Sequence, residues 1–185
     1  MITERLKTKH KTRRTAKPEW IIVHYTGCIA PPAMICDSMA DRQKDPASTH
    51  YIVLGREIVH CVDETKYYAW HCATKDKKVY CGATNRNSIG VDLVPCKLMS
   101  RSYKATDKDW YFDSQTMRTT AALIGELMTK FDIDIDHVVR HYDVTHKMCP
   151  RPFCGNDINE RWQFSGNDAW GKFKRMIMEA KNAQL

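Results

Sequence analysis

The sequence predicts one α/β domain in which short apolar strands alternate with amphipathic helices. The run Trp20-Ile21-Ile22-Val23 lies between Pro18 and Gly27, and a short β-branched run bounded in this way is typical of a buried strand. Residues 114–131 carry apolar side chains at helical spacing, namely Met117, Ala121, Ile124, Leu127, Met128 and Phe131. A chain of 185 residues has the size of one ordinary domain, so the interleaved elements leave no room for a second folded module.

The remaining elements are predicted in chain order from their apolar patterns and turn residues. A Pro-containing loop and a weak helix over 36–44 follow the first strand, and a hairpin over 50–61 turns at Gly55-Arg56. A long loop is expected over 63–87, and an apolar strand over 88–94 precedes Pro95. A short strand over 137–140 and a final helix over 168–182 complete the domain.

Positive charge is concentrated at the N-terminus. The formal net charge is +7, and residues 1–17 contribute +6 of it, because they hold seven basic side chains against Glu4 alone. Residues 18–185 are therefore close to neutral, which argues against nucleic acid as a partner for the domain. We interpret 1–17 as a flexible basic tail and 18–185 as the folded domain. The tail is either a solvated arm or an anchor for a polyanion, such as an anionic wall polymer, an outer-membrane surface or RNA.

The apolar and cysteine patterns limit the possible classes of protein. No apolar run approaches the roughly 20 residues that span a bilayer, and the N-terminal segment lacks the apolar centre of a secretory signal. We therefore expect synthesis in the cytoplasm and eight reduced thiols. No Cys-x-x-Cys pair occurs in the sequence, which argues against a zinc ribbon and against a thioredoxin-like site.

Two histidines and one cysteine could form a metal site. His24 and His141 each end a predicted strand, where side chains project beyond the edge of a sheet, and Cys149 follows His141 by eight residues. Two imidazoles and one thiolate leave the fourth position of a tetrahedral zinc open for water, which is a catalytic rather than a structural arrangement. Taken singly, a histidine at a strand end is more often a hydrogen-bonded residue of the surface or core, and a single cysteine is more often part of the core. The prediction therefore depends on all three together.

Five segments of the sequence resemble, in order, the signature segments of a known family. They are I-I-V-H-Y-T-G, S-T-H-Y-I-V, A-W-H-C, N-R-N-S-I-G-V-D-L and R-H-Y-D-V-T-H-K-M-C-P. The family is that of the zinc-dependent N-acetylmuramoyl-L-alanine amidases, which includes phage endolysins, T7 lysozyme and the peptidoglycan recognition proteins. The resemblance covers roughly residues 18–182. It implies a central mixed β-sheet flanked by helices, one bound Zn²⁺, and peptidoglycan as the substrate.

The resemblance also implies roles for individual residues. His24, His141 and Cys149 match the three zinc ligands, and Lys147 matches a lysine that stabilises the oxyanion. Asp92 stands where relatives from bacillus prophages have a catalytic glutamate, and it is one methylene shorter. Other members use a tyrosine at the position of Thr49, and Tyr51, two residues later, is expected to face the same side. Either Asp92 or Tyr51 could therefore be the general base.

Further residues of the matching segments are candidates for substrate contacts. His71 resembles a histidine that lines the substrate groove, and the other candidates are Tyr25, Thr26, Thr49, His50 and Trp70. Aromatic side chains in the loop, such as Trp70, could stack on sugar or contact the stem peptide. They could equally cover the core, and the sequence alone leaves both roles open.

Three functions from different classes are compatible with these features. The first is a bacteriolytic endolysin that cleaves the bond between N-acetylmuramic acid and L-alanine after release to the cell wall, with a cytoplasmic muropeptide-recycling amidase as the alternative for its location. The second is a non-catalytic peptidoglycan-binding protein on the same fold. Binding-only members have lost the cysteine ligand, so the presence of Cys149 favours the enzyme. The third, a nucleic-acid binder that uses the basic tail, is the least favoured.

Overall fold

The structure, a computed structural model, describes residues 2–72, 79–98, 102, 104, 107–154 and 166–183. Its strands are β1 (Ile2–Glu4), β2 (Lys11–Arg13), β3 (Trp20–Tyr25), β4 (Tyr51–Leu54), β5 (Glu57–His60), β6 (Tyr67–Ala69), β7 (Ser88–Leu93), β8 (Cys96–Lys97), β9 (Trp110–Tyr111) and β10 (Val138–Arg140). Its helices are α1 (Pro32–Asp41), α2 (Ser114–Phe131), α3 (His141–Thr145) and α4 (Gly166–Asn182). Short 3-10 turns lie at Asn85–Asn87, Ile135–His137 and Arg151–Phe153.

A mixed six-stranded sheet in the order β1-β5-β4-β7-β3-β10 forms the centre of the domain. The hairpin β4–β5 is antiparallel, whereas the pairs β1–β5, β4–β7, β7–β3 and β3–β10 are parallel. Helices α2 and α4 pack together on one face, and α1 packs on the other face against β4 and β5. The predicted single α/β domain with a mixed central sheet is thereby confirmed.

The two faces of the sheet differ in chemistry because side chains alternate along each strand. On the face under α2 and α4, apolar residues such as Ile21, Val23 and Val91 join the main core. On the opposite face, Ile52, Asp92 and His24 lie in one row, since β4, β7 and β3 place them in register. This second face holds the polar side chains from which a site can be built.

Helix α2 begins and ends where its sequence requires. The Asp113 carboxylate accepts hydrogen bonds from the backbone N–H groups of Gln115 and Thr116, as an N-cap does. The helix ends at Asp132, which adopts a left-handed conformation and returns its N–H to the Met128 carbonyl. The apolar stripe predicted over 114–131 faces the sheet, with Ile124 and Leu127 among its buried residues.

The N-terminal segment differs from the flexible tail expected for residues 1–17. Of its described residues, β1 extends the central sheet beside β5, and β2 pairs with β6 in a separate two-stranded sheet. The Arg14 guanidinium donates hydrogen bonds to the carbonyls of Glu64, Arg86 and Ser88 at 2.6–2.9 Å. Burial lowers the pKa of Arg14 to about 10, against the raising effect of Glu64. Residues of the N-terminal segment are thus bound to the domain through β1, β2 and Arg14. The charge pattern of the sequence alone did not indicate these contacts.

Other boundaries also differ from the sequence prediction. Helix α1 begins at Pro32 rather than near residue 36, because proline at the first helical position needs no hydrogen-bond partner for a backbone N–H. The loop expected over 63–87 contains β6 and a 3-10 turn, while its residues 73–78 lie outside the described residues. Helix α3, which begins directly after β10, was not predicted. None of the described helices combines the length and apolar character needed to cross a membrane.

Candidate metal centre and active site

Three side chains with metal-ligating atoms converge where β3 and β10 end. Arg140 pairs with Val23 in the parallel register, so His24 and His141, the next residues, lie side by side. The Nδ1 atoms of the two imidazoles are 3.1 Å apart, and Cys149 Sγ lies 3.7 Å from His24 Nδ1. The potential ligand atoms of all three residues lie within 4.8 Å of one another, and all three residues are buried.

Two of the three separations between these atoms match a tetrahedral zinc site. Tetrahedral zinc with ordinary bond lengths holds two nitrogen ligands about 3.3 Å apart and a nitrogen and a sulfur about 3.6 Å apart. The observed separations of 3.1 and 3.7 Å are close to these values. A set of two imidazoles and one thiolate suits Zn²⁺ better than Mg²⁺ or Ca²⁺, which prefer oxygen ligands. The residues that could hold a zinc ion are therefore His24, His141 and Cys149.

Local structure holds His141 and Cys149, the two candidate ligands that come later in the chain. The Arg140 guanidinium donates to Asp143 at 2.6 Å and to the Phe153 carbonyl at 2.6 Å, and its backbone N–H donates to Asp143. These bonds hold the start of α3, where His141 is the first residue. The loop after α3 returns so that the Tyr142 N–H donates to the Cys149 carbonyl at 2.8 Å. His141 and Cys149 are thus held on opposite sides of one short turn.

The environment favours neutral imidazole at His24 and a protonated thiol at Cys149. Burial lowers the pKa of His24 well below its ordinary value, and the neighbouring His141 and His71 lower it further. Burial also raises the pKa of the Cys149 thiol, although the Tyr25 backbone N–H, which points at the sulfur, acts in the opposite direction. Neutral imidazole is ready to bind a metal, whereas the thiol must first lose its proton.

Asp92 lies next to His24, as its strand position requires. The two residues are paired in the register of β7 and β3, and Asp92 is 6% exposed. Burial raises the pKa of Asp92 to about 6, although a hydrogen bond with Thr49 and the positive charge of Lys147 both act to lower it. A carboxylate with such a pKa can exchange protons near neutral pH, which suits a general base or acid.

Lys147 lies on the loop between α3 and Cys149 and is exposed. Its backbone carbonyl accepts a hydrogen bond from the Cys149 N–H at 2.6 Å, which ties this residue to the candidate metal ligand. Its positive charge is near enough to lower the pKa values of His24 and Asp92. An exposed ammonium group at the rim of a buried cluster can approach a substrate from the solvent side.

The structure does not bring Tyr51 to this site. Tyr51 pairs with Val91, one residue before Asp92, so its side chain points to the face under α2. Its ring stacks on His60 at 4.6 Å, and its hydroxyl is hydrogen-bonded to Glu64. The expectation that Tyr51 shares a side with Thr49 is wrong, because the strand begins only at Tyr51 and the alternation does not extend back to Thr49.

The two histidines expected near the substrate groove, His50 and His71, both contact other groups of the protein. His50 is fully buried, with Nδ1 accepting from the Gly90 N–H at 2.9 Å and Nε2 lying 3.3 Å from the Tyr67 carbonyl. This placement corrects the expectation that His50 contacts substrate. His71 is partly exposed, and its Nδ1 lies 2.9 Å from His24 Nε2.

The other candidate substrate contacts have mixed surroundings. Thr49 is 1% exposed and donates to the Gly90 carbonyl at 3.0 Å. The Tyr25 ring packs edge-on against Trp110 at 5.9 Å, on the side of the main core. The Thr26 hydroxyl donates to the Cys28 carbonyl at 2.8 Å, and the Trp70 indole donates to Thr12 Oγ1 at 3.0 Å. Thr26 and Trp70 remain partly exposed, so their roles as substrate contacts stay predictions.

Ser88 is a residue of the site that was not identified from the sequence. It is fully buried, and its hydroxyl oxygen lies 3.2 Å from His71 Nε2. The signal that could have identified it is the alternation of S-I-G-V-D, since Ser88, Gly90 and Asp92 share one face of β7. The row of polar groups on that face therefore extends from Asp92 past Gly90 to Ser88.

The sequence profile of the N-acetylmuramoyl-L-alanine amidase family, Amidase_2, matches residues 14–152, which is most of the chain and includes all three candidate ligands. The chain belongs to this family. Among curated proteins it is 27% identical over 142 residues to the amidase CwlL of Bacillus licheniformis, covering 72% of this chain and 36% of that protein. It is 33% identical over 119 residues to the amidase BlyA of Bacillus subtilis (strain 168), covering 60% of this chain and 30% of that protein.

The fold of this amidase family member is shared with solved structures. The catalytic domain of XlyA superposes with a TM-score of 0.66 at 22% identity, covering 96% of this chain and 99% of that chain. The likeness shows that the two chains have the same fold, which confirms the amidase fold expected from the sequence. The chain spans about a third of the length of the curated relatives CwlL and BlyA.

Proposed function

We propose that this amidase family member is a zinc-dependent N-acetylmuramoyl-L-alanine amidase, which hydrolyses the amide bond between N-acetylmuramic acid and L-alanine in peptidoglycan. The observation that carries the proposal is the convergence of His24, His141 and Cys149, with Asp92 beside His24. A three-ligand set with an open fourth position is the arrangement of catalytic zinc. Membership of the amidase family supports the choice of bond.

Each polar group around the cluster has a defined task in amide hydrolysis. Zinc, when bound, supplies Lewis-acid chemistry that polarises the scissile carbonyl and lowers the pKa of water to about 7. The Asp92 carboxylate accepts a proton from the attacking water and then passes it to the departing amine nitrogen. The Lys147 ammonium stabilises negative charge on the carbonyl oxygen, an effect on the order of 3 kcal/mol.

The proposal is tested by release of soluble fragments from dye-labelled peptidoglycan. We expect release by the purified protein, loss of release after treatment with a chelator, and recovery when zinc is restored. Cys149→Ser is the matched variant, because oxygen replaces a single sulfur ligand, and we expect it to lose both zinc and activity. Retention of labelled walls without release would instead indicate the non-catalytic binding protein.

We further propose that the basic N-terminal segment contacts an anionic polymer of the cell wall, where the enzyme acts as an endolysin does. Lys7, Lys9, Arg13 and Lys17 are exposed. Arg13 in β2 lies opposite Tyr67 in β6, the strand that leads to Trp70, so part of this basic surface borders the segment that holds a candidate substrate contact. Replacing these four side chains by Gln should weaken lysis of whole walls at low salt and leave turnover of soluble muropeptides unchanged. Equal lysis of walls by both forms at low salt would contradict this proposal.

A further inference from the structure

We propose that His71 and Ser88 are positioning residues that fix the tautomer and the orientation of His24 as a zinc ligand. This inference rests on the proposed zinc function and deepens it, because it gives His71 and Ser88 a hydrogen-bonding role toward the candidate ligand His24. The residues form a continuous chain of hydrogen-bonding atoms from the Thr84 carbonyl through Ser88 and His71 to His24.

The direction of each hydrogen bond in this chain follows from its first member. The Ser88 hydroxyl donates its one proton to the Thr84 carbonyl at 2.5 Å, so the Ser88 oxygen can only accept at its other contact. That contact is His71 Nε2 at 3.2 Å, which must therefore carry a proton. In neutral His71 the lone pair is then on Nδ1, where it accepts the proton on His24 Nε2 across 2.9 Å.

The consequence for His24 is a single tautomer. With its proton on Nε2, neutral His24 has its lone pair on Nδ1, the atom that faces His141 Nδ1 at 3.1 Å and Cys149 Sγ at 3.7 Å. The opposite tautomer would place a proton on the nitrogen that faces the other two ligands, and it could not bind a metal there. Outer partners of this kind commonly orient metal-binding histidines.

The position of the His71 ring is held by its surroundings as well as by these bonds. Asn85 Oδ1 accepts the backbone N–H groups of His71 at 3.1 Å and of Cys72 at 2.7 Å. The ring lies directly against Gly90, where an added Cβ would approach His71 Cγ and Nδ1 to 2.8 Å. Glycine at position 90 therefore gives the His71 ring the space to reach His24.

The first test compares zinc affinities of purified apo-proteins by competition with a chromophoric chelator. His71→Leu fills a similar volume but offers no acceptor, and we expect zinc affinity to fall about 10- to 100-fold. His71→Asn leaves a gap but places a carbonyl oxygen near the former Nδ1, and we expect affinity within a few-fold of wild type. His137→Asn, the same change at a histidine that packs on Trp20 away from the metal centre, is the control.

The variant that loses more zinc affinity, His71→Leu or His71→Asn, shows whether His71 positions His24 or only fills space. If His71 only fills space, the leucine variant keeps its zinc affinity and the asparagine variant loses it, which would overturn the proposal. A wild-type protein that binds no zinc would refute the proposed function itself, before any variant is compared.

The second test needs no variant, so it also covers the case in which His71→Leu fails to fold. Long-range proton–nitrogen correlation spectra of the zinc-loaded wild-type protein distinguish the two neutral tautomers of each histidine. We expect the proton on Nε2 in both His24 and His71. A proton on Nδ1 of His71 would contradict the proposal, whatever the zinc affinities.

Discussion

Asp92 lies directly beside His24 in the register of the parallel strands β7 and β3, and both side chains point to the face of the sheet opposite α2. This relationship places one buried carboxylate next to the candidate zinc ligands. It also excludes Tyr51, whose side chain lies on the other face and contacts Glu64 there. Of the two residues considered as general base from the sequence, only Asp92 has the position for it.

Asp92→Asn should keep zinc and lose most of its activity, because the amide cannot accept a proton. In the wild type, activity should fall as the pH drops through the pKa of Asp92, which burial raises to about 6 and which a bound cation would lower. Rates of muropeptide cleavage between about pH 4 and 8 test this, with Tyr51→Phe as the control. An inactive Tyr51→Phe beside a nearly normal Asp92→Asn would show that the assignment of the base is wrong.

Lys147→Ala should also keep zinc, and its kcat/KM should fall by about 10²–10³-fold, the cost of removing a group that stabilises the developing oxyanion. Lys147 is exposed, so the change should leave the melting temperature nearly unaltered. Lys44→Ala is a matched control at an exposed lysine outside the site. Unchanged kcat/KM in the Lys147 variant would remove this residue from the mechanism.

Zinc binding should release at least about one proton per metal ion at neutral pH, one from Cys149 and part of another from the metal-bound water. Burial raises the pKa of the Cys149 thiol and lowers that of His24, so Cys149 enters the complex protonated and His24 does not. Calorimetric titrations in buffers of different ionisation enthalpy measure the number released, and zinc affinity should rise with pH. Zinc binding with no proton release would show that Cys149 is not a thiolate ligand.

A second buried carboxylate, Glu64, stabilises the opposite face of the sheet. It is 2% exposed, and it contacts His60 Nε2 at 2.8 Å and Lys130 Nζ at 2.7 Å. Burial alone would raise the pKa of Glu64, but hydrogen bonds from His60 and Lys130 outweigh burial and hold it well below its ordinary value. Burial lowers the pKa of His60, but the hydrogen bond to Glu64 outweighs burial and leaves the pKa of His60 above its ordinary value.

Glu64→Gln should therefore reduce the free energy of unfolding by about 2 kcal/mol, mostly through the bond to His60. The contribution of Glu64 is lost as the pH falls below its unfolded pKa of about 4.3, and that of protonated His60 is lost as the pH rises above about 6.5. Denaturant unfolding of the wild type and of Glu64→Gln should show the largest difference in the free energy of unfolding between about pH 4.3 and 6.5. A difference independent of pH would contradict the role of the ion pair.

The cluster of candidate metal ligands could be predicted from the sequence because two of its residues lie near the end of a strand or next to one. His24 lies near the end of β3, and His141 directly follows β10. These two strands are parallel neighbours, so the sheet alone brings the two histidines together. Cys149 is brought back by a short turn after α3. Helix α2 was equally predictable, since its apolar stripe and the Asp113 cap are local features.

The parts that could not be predicted depend on contacts distant in sequence. Strand alternation suggested one side for Thr49 and Tyr51, but the His50 N–H bonds to Gly90 before the strand begins and breaks the alternation. The N-terminal segment looked like a solvated arm because its charges do not reveal that Arg14 donates to three carbonyls from distant segments. The contact of His71 with His24 likewise depends on the packing of the His71 ring on Gly90, which is distant in sequence.

The central claim is tested most directly by mass spectrometry of the products formed when the zinc-loaded protein digests purified peptidoglycan. We expect glycan strands that have lost their stem peptides, together with free peptides that begin with the amino group of L-alanine. Neither product should form with Cys149→Ser or Asp92→Asn. Products cut within the glycan strand or within the peptide, or no products at all from protein that has bound zinc, would contradict the account.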